Sequence, residues 1–155
     1  MNIRKAKIKD LQMLFNLKNE LTHYQYGLDQ QYKSSDKINR VTRDDLQKFI
    51  DDKKSWIFVA DDNGALVGYI AGEIRENHYL ELDNIISGNI KNFVVKKSSR
   101  NKKVGRALYL AAIEFFTTLG IDYVEVSVNT KNLSALAAYK KLGFKEFQIK
   151  LNQRI

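Results

Sequence analysis

The order of helical and strand-like patterns along this 155-residue chain predicts one mixed α/β domain. Three observations carry that expectation. Trp56–Ala60 and Ala65–Ile74 are apolar runs of strand length on either side of Asp61-Asp62-Asn63-Gly64, a strong hairpin turn. Val104, Leu108, Ala111, Ala112, Phe115 and Leu119 recur at helical spacing. No repeat, low-complexity segment or linker divides the chain, so residues 1–155 are expected to form one domain.

The elements follow in order. Ile3–Ile8 reads as a short first strand. A helix begins at Asp10, a natural N-cap, with Leu11, Leu14, Phe15 and Leu21 near one face. Tyr24–Arg40 has weak periodicity and several tyrosines, and reads as a loop or irregular helix of the length that often carries function. Thr42-Arg43-Asp44-Asp45 opens the next helix through Leu46, Phe49 and Ile50. After the hairpin, a connection spans Asn77–Asn89 and Ile90–Val95 forms another strand. The Val104–Leu119 helix stops at Gly120, and Tyr123–Val128 alternates as a strand. Asn132–Leu142 is the last helix, ended by Gly143, and Phe144–Leu151 is expected as a closing strand.

Composition excludes several chemistries. With no cysteine there can be no disulfide, thiolate metal site or cysteine acyl-enzyme. His23 and His78 lack metal-ligand spacing, so no metal is expected and both read as structural or solvent-facing. No apolar run approaches the roughly 18 residues of a membrane span, and Met1–Lys5 does not lead into a signal-peptide core. A cytoplasmic location without membrane attachment is the default expectation.

The net charge of +8 is uneven. Residues 1–89 hold 13 Lys/Arg and 14 Asp/Glu, whereas residues 90–155 hold 13 Lys/Arg and 4 Asp/Glu, which places all the excess in the second half. Between Lys96 and Arg106 six of eleven residues are basic and none is acidic. Lying between a strand and a helix, that stretch offers unpaired backbone N–H groups and the positive end of a helix dipole. Gly105 removes a Cβ from the path of a ligand. The stretch reads equally as a phosphate cradle or a solvated basic loop. It has neither the Walker nor the dinucleotide glycine spacing.

The second element is Asn132–Tyr139. Seven residues apart on a helix, Asn132 and Tyr139 would nearly eclipse each other with Ala135 between them, lining a slot for an extended ligand. Tyr139 alone reads as a core or rim tyrosine. The strand-turn-helix-strand-helix order from Asn92 to Leu142 lets both elements border one cleft.

Together these residues resemble the GNAT superfamily of acyl-CoA-dependent N-acetyltransferases. Arg100, Val104 and Gly105 match its Arg/Gln-x-x-Gly-x-Gly/Ala cofactor signature, with Lys103 in place of the first glycine. Asn132, Ala135, Tyr139, Gly143 and Phe144 match its later Asn-x-x-Ala-x-x-x-Tyr-x-x-x-Gly-Phe signature. Lys97 stands where a proline is frequent.

The resemblance implies a mixed, mostly antiparallel central sheet flanked by helices on both faces, with acetyl-CoA as cofactor. Backbone N–H groups of Lys102 to Arg106 would hold the pyrophosphate, within a cradle of Arg100, Asn101, Lys102, Lys103, Val104, Gly105, Arg106 and Ala107. The strand Phe93, Val94, Val95 would pair with the pantetheine arm, and the Val95 N–H would meet the oxyanion. Asn132 and Ala135 would contact the cofactor, and Tyr139 would protonate the leaving thiolate. Glu73 and Glu125 are candidate bases, ahead of Glu81 and Asp83.

The implied reaction is direct acetyl transfer to a primary amine of a small molecule or peptide, in a ternary complex. A homodimer is compatible with the family. Tyr24–Arg40 and Asn77–Asn89 would line the acceptor side, where Asp29, Asp36, Glu81 and Asp83 suit a cationic amine. Two other readings stand beside it: a nucleic-acid-binding module using the Lys96–Arg106 and Lys140–Lys150 charge, and an acyl-CoA-binding protein without turnover.

Overall fold

A computed structural model describes residues 1–29, 43–77, 85–151 and 153. It contains a five-stranded sheet in the order β1-β2-β3-β4-β5. The strands are β1 (Asn2–Lys5), β2 (Ser55–Asp62), β3 (Ala65–Asn77), β4 (Ile85–Val95) and β5 (Tyr123–Val126). Neighbours are antiparallel except β4 and β5, which are parallel. The helices are α1 (Leu11–Leu28), α2 (Arg43–Asp51), α3 (Val104–Thr118) and α4 (Leu133–Lys141).

Strand alternation sends side chains to two cores. Ile57, Val59, Tyr69, Ala71 and Val94 meet Leu14 and Leu17 of α1, with Phe49 and Ile50 of α2 packed alongside. Trp56, Phe58, Ala60, Ile70 and Ile90 meet Val104, Leu108, Ala112 and Phe116 of α3. The two-sided, mostly antiparallel α/β architecture is the expected one. Among the described residues no helix is long and apolar enough to cross a membrane.

The hairpin forms as its sequence requires. Asn63 and Gly64 take φ values of 54° and 89°, which a primed turn needs, and the Gly64 N–H donates to Asp61 Oδ1 at 2.7 Å. Gly72 and Gly88 are open spaces for aromatic rings: a Cβ on Gly72 would overlap Trp56 and the Asn89 carbonyl, and one on Gly88 would overlap Phe116.

Several expectations change. α1 runs through Tyr24 to Leu28, so the first part of the expected loop is regular helix, with His23 on its exposed side. Residues 30–42, with Asp36 and Thr42, lie outside the described residues, as do 78–84 with His78, Glu81 and Asp83. β4 starts at Ile85, which takes in the end of the expected connection. Residues 144–151 form no strand, although their alternation suits one, because no edge among the described residues pairs with them. Ile149 and Leu151 are accordingly 78% and 88% exposed.

Asp10 does not cap α1 with its side chain. Its fully buried carboxylate accepts two hydrogen bonds from Arg4, at 2.7 and 2.9 Å, and one from the Lys7 N–H at 2.8 Å. Arg4 also reaches Asp61 at 2.8 Å, so one guanidinium ties β1, the entry to α1 and the hairpin together. The Arg4 hydrogen bonds hold the Asp10 carboxyl below the ordinary range, against the desolvation that would raise it. A depressed folded-state pKa means that this stabilisation is complete above the unfolded value, about 4. It is lost as pH falls through the depressed one. Asp10→Asn is expected to cost about 3 kcal/mol in urea denaturation at pH 7. Its deficit relative to the parent chain should shrink as the pH is taken below about 4.

Candidate active site

The sheet opens on one side of β4. β4 and β5 pair only from Ser87↔Tyr123 to Ile90↔Val126. One residue further, β4 bulges: Gly72 pairs with Ile90 and Ala71 with Asn92, leaving Lys91 as the extra residue. From Lys91 to Val95 the strand keeps β3 on one side, with no strand on the other among the described residues.

The backbone polarity of that stretch follows from one hydrogen bond. The Lys96 N–H donates to the Val67 carbonyl at 2.9 Å, toward β3. Strand alternation therefore turns the polar groups of Phe93 and Val95 to the open edge, and those of Val94 toward β3. The Val95 carbonyl accepts from Arg100 Nε at 3.1 Å, leaving the N–H groups of Val95 and Phe93 facing the gap. Val94, expected to act with them, instead pairs with Tyr69 and buries its side chain toward α1.

The basic loop meets this edge from above. Arg100, Asn101, Lys102, Lys103 and Arg106 are all exposed. Lys103, the α3 N-cap, is left-handed with φ 63° and offers no side-chain cap, and Asn101 has φ 61°. The lysine in the glycine position therefore does adopt a left-handed conformation. The first intrahelical bond of α3 joins the Ala107 N–H to the Lys103 carbonyl, so the N–H groups of Val104, Gly105 and Arg106 precede the helical ladder. A Cβ on Gly105 would lie at ordinary contact distance from Phe93 and Val95, 3.6 and 3.7 Å. The fold would accept it. It would, however, occupy space beside the open edge.

α4 closes the other side. The Tyr139 ring lies 6.1 Å from Phe93, between centroids, and 5.3 Å from Phe144 in edge-to-face contact. Gly143, at φ 97°, turns the chain so that the Phe144 N–H bonds the Tyr139 carbonyl and its ring braces the phenol. Burial pushes the Tyr139 hydroxyl well above its ordinary pKa, so it stays protonated through the neutral range.

Asn132 is placed differently from expectation. It is the N-cap of α4 rather than a helical residue, and its Oδ1 accepts from the Ala135 N–H at 3.2 Å. Ala135 and Tyr139, four apart, form the row that remains. Tyr24 of α1, the first residue of the segment expected on the acceptor side, reaches Ser134 Oγ at 3.1 Å and Asn132 Oδ1 at 3.4 Å, a contact with the start of α4 that sequence did not anticipate.

The two candidate bases share one register row on the α1–α2 face, with Glu73 and Glu125 on either side of Asn89. Their surroundings differ. Glu73 contacts Arg75 at 2.6 Å and Lys91 at 2.9 Å. Desolvation would raise its pKa, but the two cations outweigh that and hold it below the ordinary range. Glu125 accepts from the buried Ser87 hydroxyl at 3.0 Å.

An open strand edge, a helix N-terminus and a braced phenol thus lie together around Phe93. Residues 14–144 match the family model described as acetyltransferase (GNAT) family, and the chain belongs to that family.

Among curated relatives, an uncharacterized N-acetyltransferase, MJ1207, from Methanocaldococcus jannaschii is 28% identical over 72% of this chain and 62% of its own length. An N-alpha-acetyltransferase from Sulfurisphaera tokodaii is 30% identical over 59% of this chain and 58% of its own. The matches thus span less than two-thirds of either relative. In fold, a mutant of the Bacillus halodurans BH1408 protein superimposes with a TM-score of 0.91 at 19% identity, covering 100% of this chain and 99% of that one. The aminoglycoside N-acetyltransferase AAC(6')-Iy in complex with CoA gives 0.77 at 18% identity, covering 99% and 98%.

The left-handed lysine gives a direct test of the loop. A residue with a Cβ in that region carries about 1 kcal/mol of strain. Lys103→Gly should therefore raise the melting temperature by roughly 2–4 °C in a calorimetric scan. A lower melting temperature would show that the lysine side chain contributes more than its backbone costs.

Proposed function

We propose that the protein is an acetyl-CoA-dependent N-acetyltransferase that passes the acetyl group directly to a primary amine. The observation that carries this reading is the open edge from Lys91 to Val95, with two backbone N–H donors facing a gap bordered by Tyr139 and Gly105. A pantetheine arm carries amides that need strand-like partners, and this edge supplies them. The space a Gly105 Cβ would take is the space such an arm needs, and the N–H groups of Val104, Gly105 and Arg106 suit a pyrophosphate.

When bound, acetyl-CoA supplies the thioester whose acetyl group moves to the amine. One of the Phe93 and Val95 N–H groups is the donor for the oxygen that gains charge as the amine attacks, and the other, roughly 7 Å along the strand, pairs with the pantetheine arm. Tyr139, kept protonated by burial, gives its proton to the departing sulfur as the carbon–sulfur bond breaks. Glu125 takes the ammonium proton through water, and Glu73, paired with Arg75 and Lys91, is the second candidate. Without cysteine, no thiol acyl-enzyme can form on the chain. The uneven positive charge serves the cofactor phosphates on this reading, and no nucleic acid is required.

Turnover, CoA affinity and thermal shift test it. In an acetyl-CoA thiol-release assay over an amine panel, Tyr139→Phe should lower turnover about 100-fold while CoA affinity stays within about two-fold. Glu125→Gln should lose more turnover than Glu73→Gln, and the reverse order would move the base to Glu73. Gly105→Glu should abolish the CoA-induced rise in melting temperature; an unchanged rise would sink the cradle.

A further inference from the structure

On the α1–α2 face, next to the bulge, lies a pocket of about 290 Å³ whose walls include Leu14, Leu46, Phe49 and Ala71. Three polar side chains line it without a hydrogen-bond partner among the described residues: the Lys18 ammonium, the Tyr69 hydroxyl and the Asn92 amide. Asn92 directly precedes Phe93, so the pocket adjoins the place assigned to acetyl transfer.

Lys18 is the unusual member. It is half-buried on α1, facing the sheet beside Leu14 and Leu17. Burial lowers its proton affinity, and Asp45 on α2, which lines the same pocket, opposes that through space. Lys91, the other lysine at the pocket, is already taken by Glu73 at 2.9 Å. A desolvated ammonium facing an apolar cavity is relieved by an anion that brings hydrogen bonds with it.

We propose that this pocket takes the carboxylate end of the acceptor, which is therefore a small amine of amino-acid size. Lys18 pairs with the carboxylate while Tyr69 and Asn92 donate hydrogen bonds to it. The inference rests on the acetyl-transfer reading for the direction of the amine, which points across Asn92 to the open edge. It separates this chain from acceptors of the aminoglycoside type. A polycation would bring its charges against Lys18, which Asp45 offsets only through space, and 290 Å³ lies at the small end of ligand pockets.

The test uses the CoA-loaded protein, with binding followed by calorimetry. Leucine, its decarboxylated counterpart isopentylamine, and kanamycin are compared. Leucine should bind at least about 10-fold more tightly than isopentylamine, the range expected for a charged hydrogen-bonded pair. Lys18→Met should bring that ratio close to one, and Lys18→Arg should keep most of it, which a purely structural lysine would not do. Equal or tighter binding of isopentylamine or kanamycin overturns the proposal. So does a ratio unchanged in Lys18→Met, or no binding by any of alanine, leucine and phenylalanine. Thiol release read on the same panel separates the two claims. Lys18-dependent leucine binding without thiol release would keep the carboxylate pocket and remove the transferase reading.

Discussion

One inserted residue divides this sheet into a closed half and an open half. Below Lys91, β4 is paired on both sides, and above it one edge has no strand partner among the described residues. A bulge bends the strand that carries it and increases its twist. Here it does so at the level where β5 stops, so the parallel pair separates instead of continuing. The orientation of the Phe93 and Val95 amides, the pocket beside Asn92 and the gap that Tyr139 overlooks all follow from that displacement.

Such an opening costs the sheet hydrogen bonds, and the closed half is built to hold it. Gly72 and Gly88 remove Cβ atoms so that Trp56 and Phe116 approach the backbones of β3 and β4, where the two rings meet edge-to-face at 5.0 Å. That contact anchors the lower part of β4 to α3, whose N-terminus stands over the open part. Arg4 performs a comparable service at the far edge, joining β1 to both Asp10 and Asp61. These two contacts hold the sheet while the C-terminal part of β4 keeps one edge without a strand partner among the described residues.

Much of this was legible in the sequence because it rests on local signals. The hairpin at Asn63-Gly64, the apolar faces of α1 and α3, and the Gly143-Phe144 return onto Tyr139 each depend on residues close in the chain. What sequence did not disclose depends on pairing. Lys91 is an ordinary residue in an apolar run, and only the register against β3 makes it a bulge. Asn132 looked like a helical position because spacing cannot tell an N-cap from the first turn. Residues 144–151 have strand propensity, but a strand needs a partner edge that propensity does not supply. Lys18 belonged to an amphipathic helix by pattern, and its desolvation became visible only once α2 lay across it.

The exposed segment around Ile149 and Leu151 bears on how the protein behaves as a solute. An alternating apolar stretch and an open strand edge on one chain are the usual ingredients of adhesive β-pairing between molecules. The chain opposes this with a net charge of +8, all of the excess lying on the same half as both features. That protection acts through the solvent and is electrostatic. It reaches only about 8 Å at physiological ionic strength, and less in concentrated salt. Colloidal stability of the protein is thus set by the ionic medium as much as by the fold, and handling it at low salt keeps its adhesive surfaces apart.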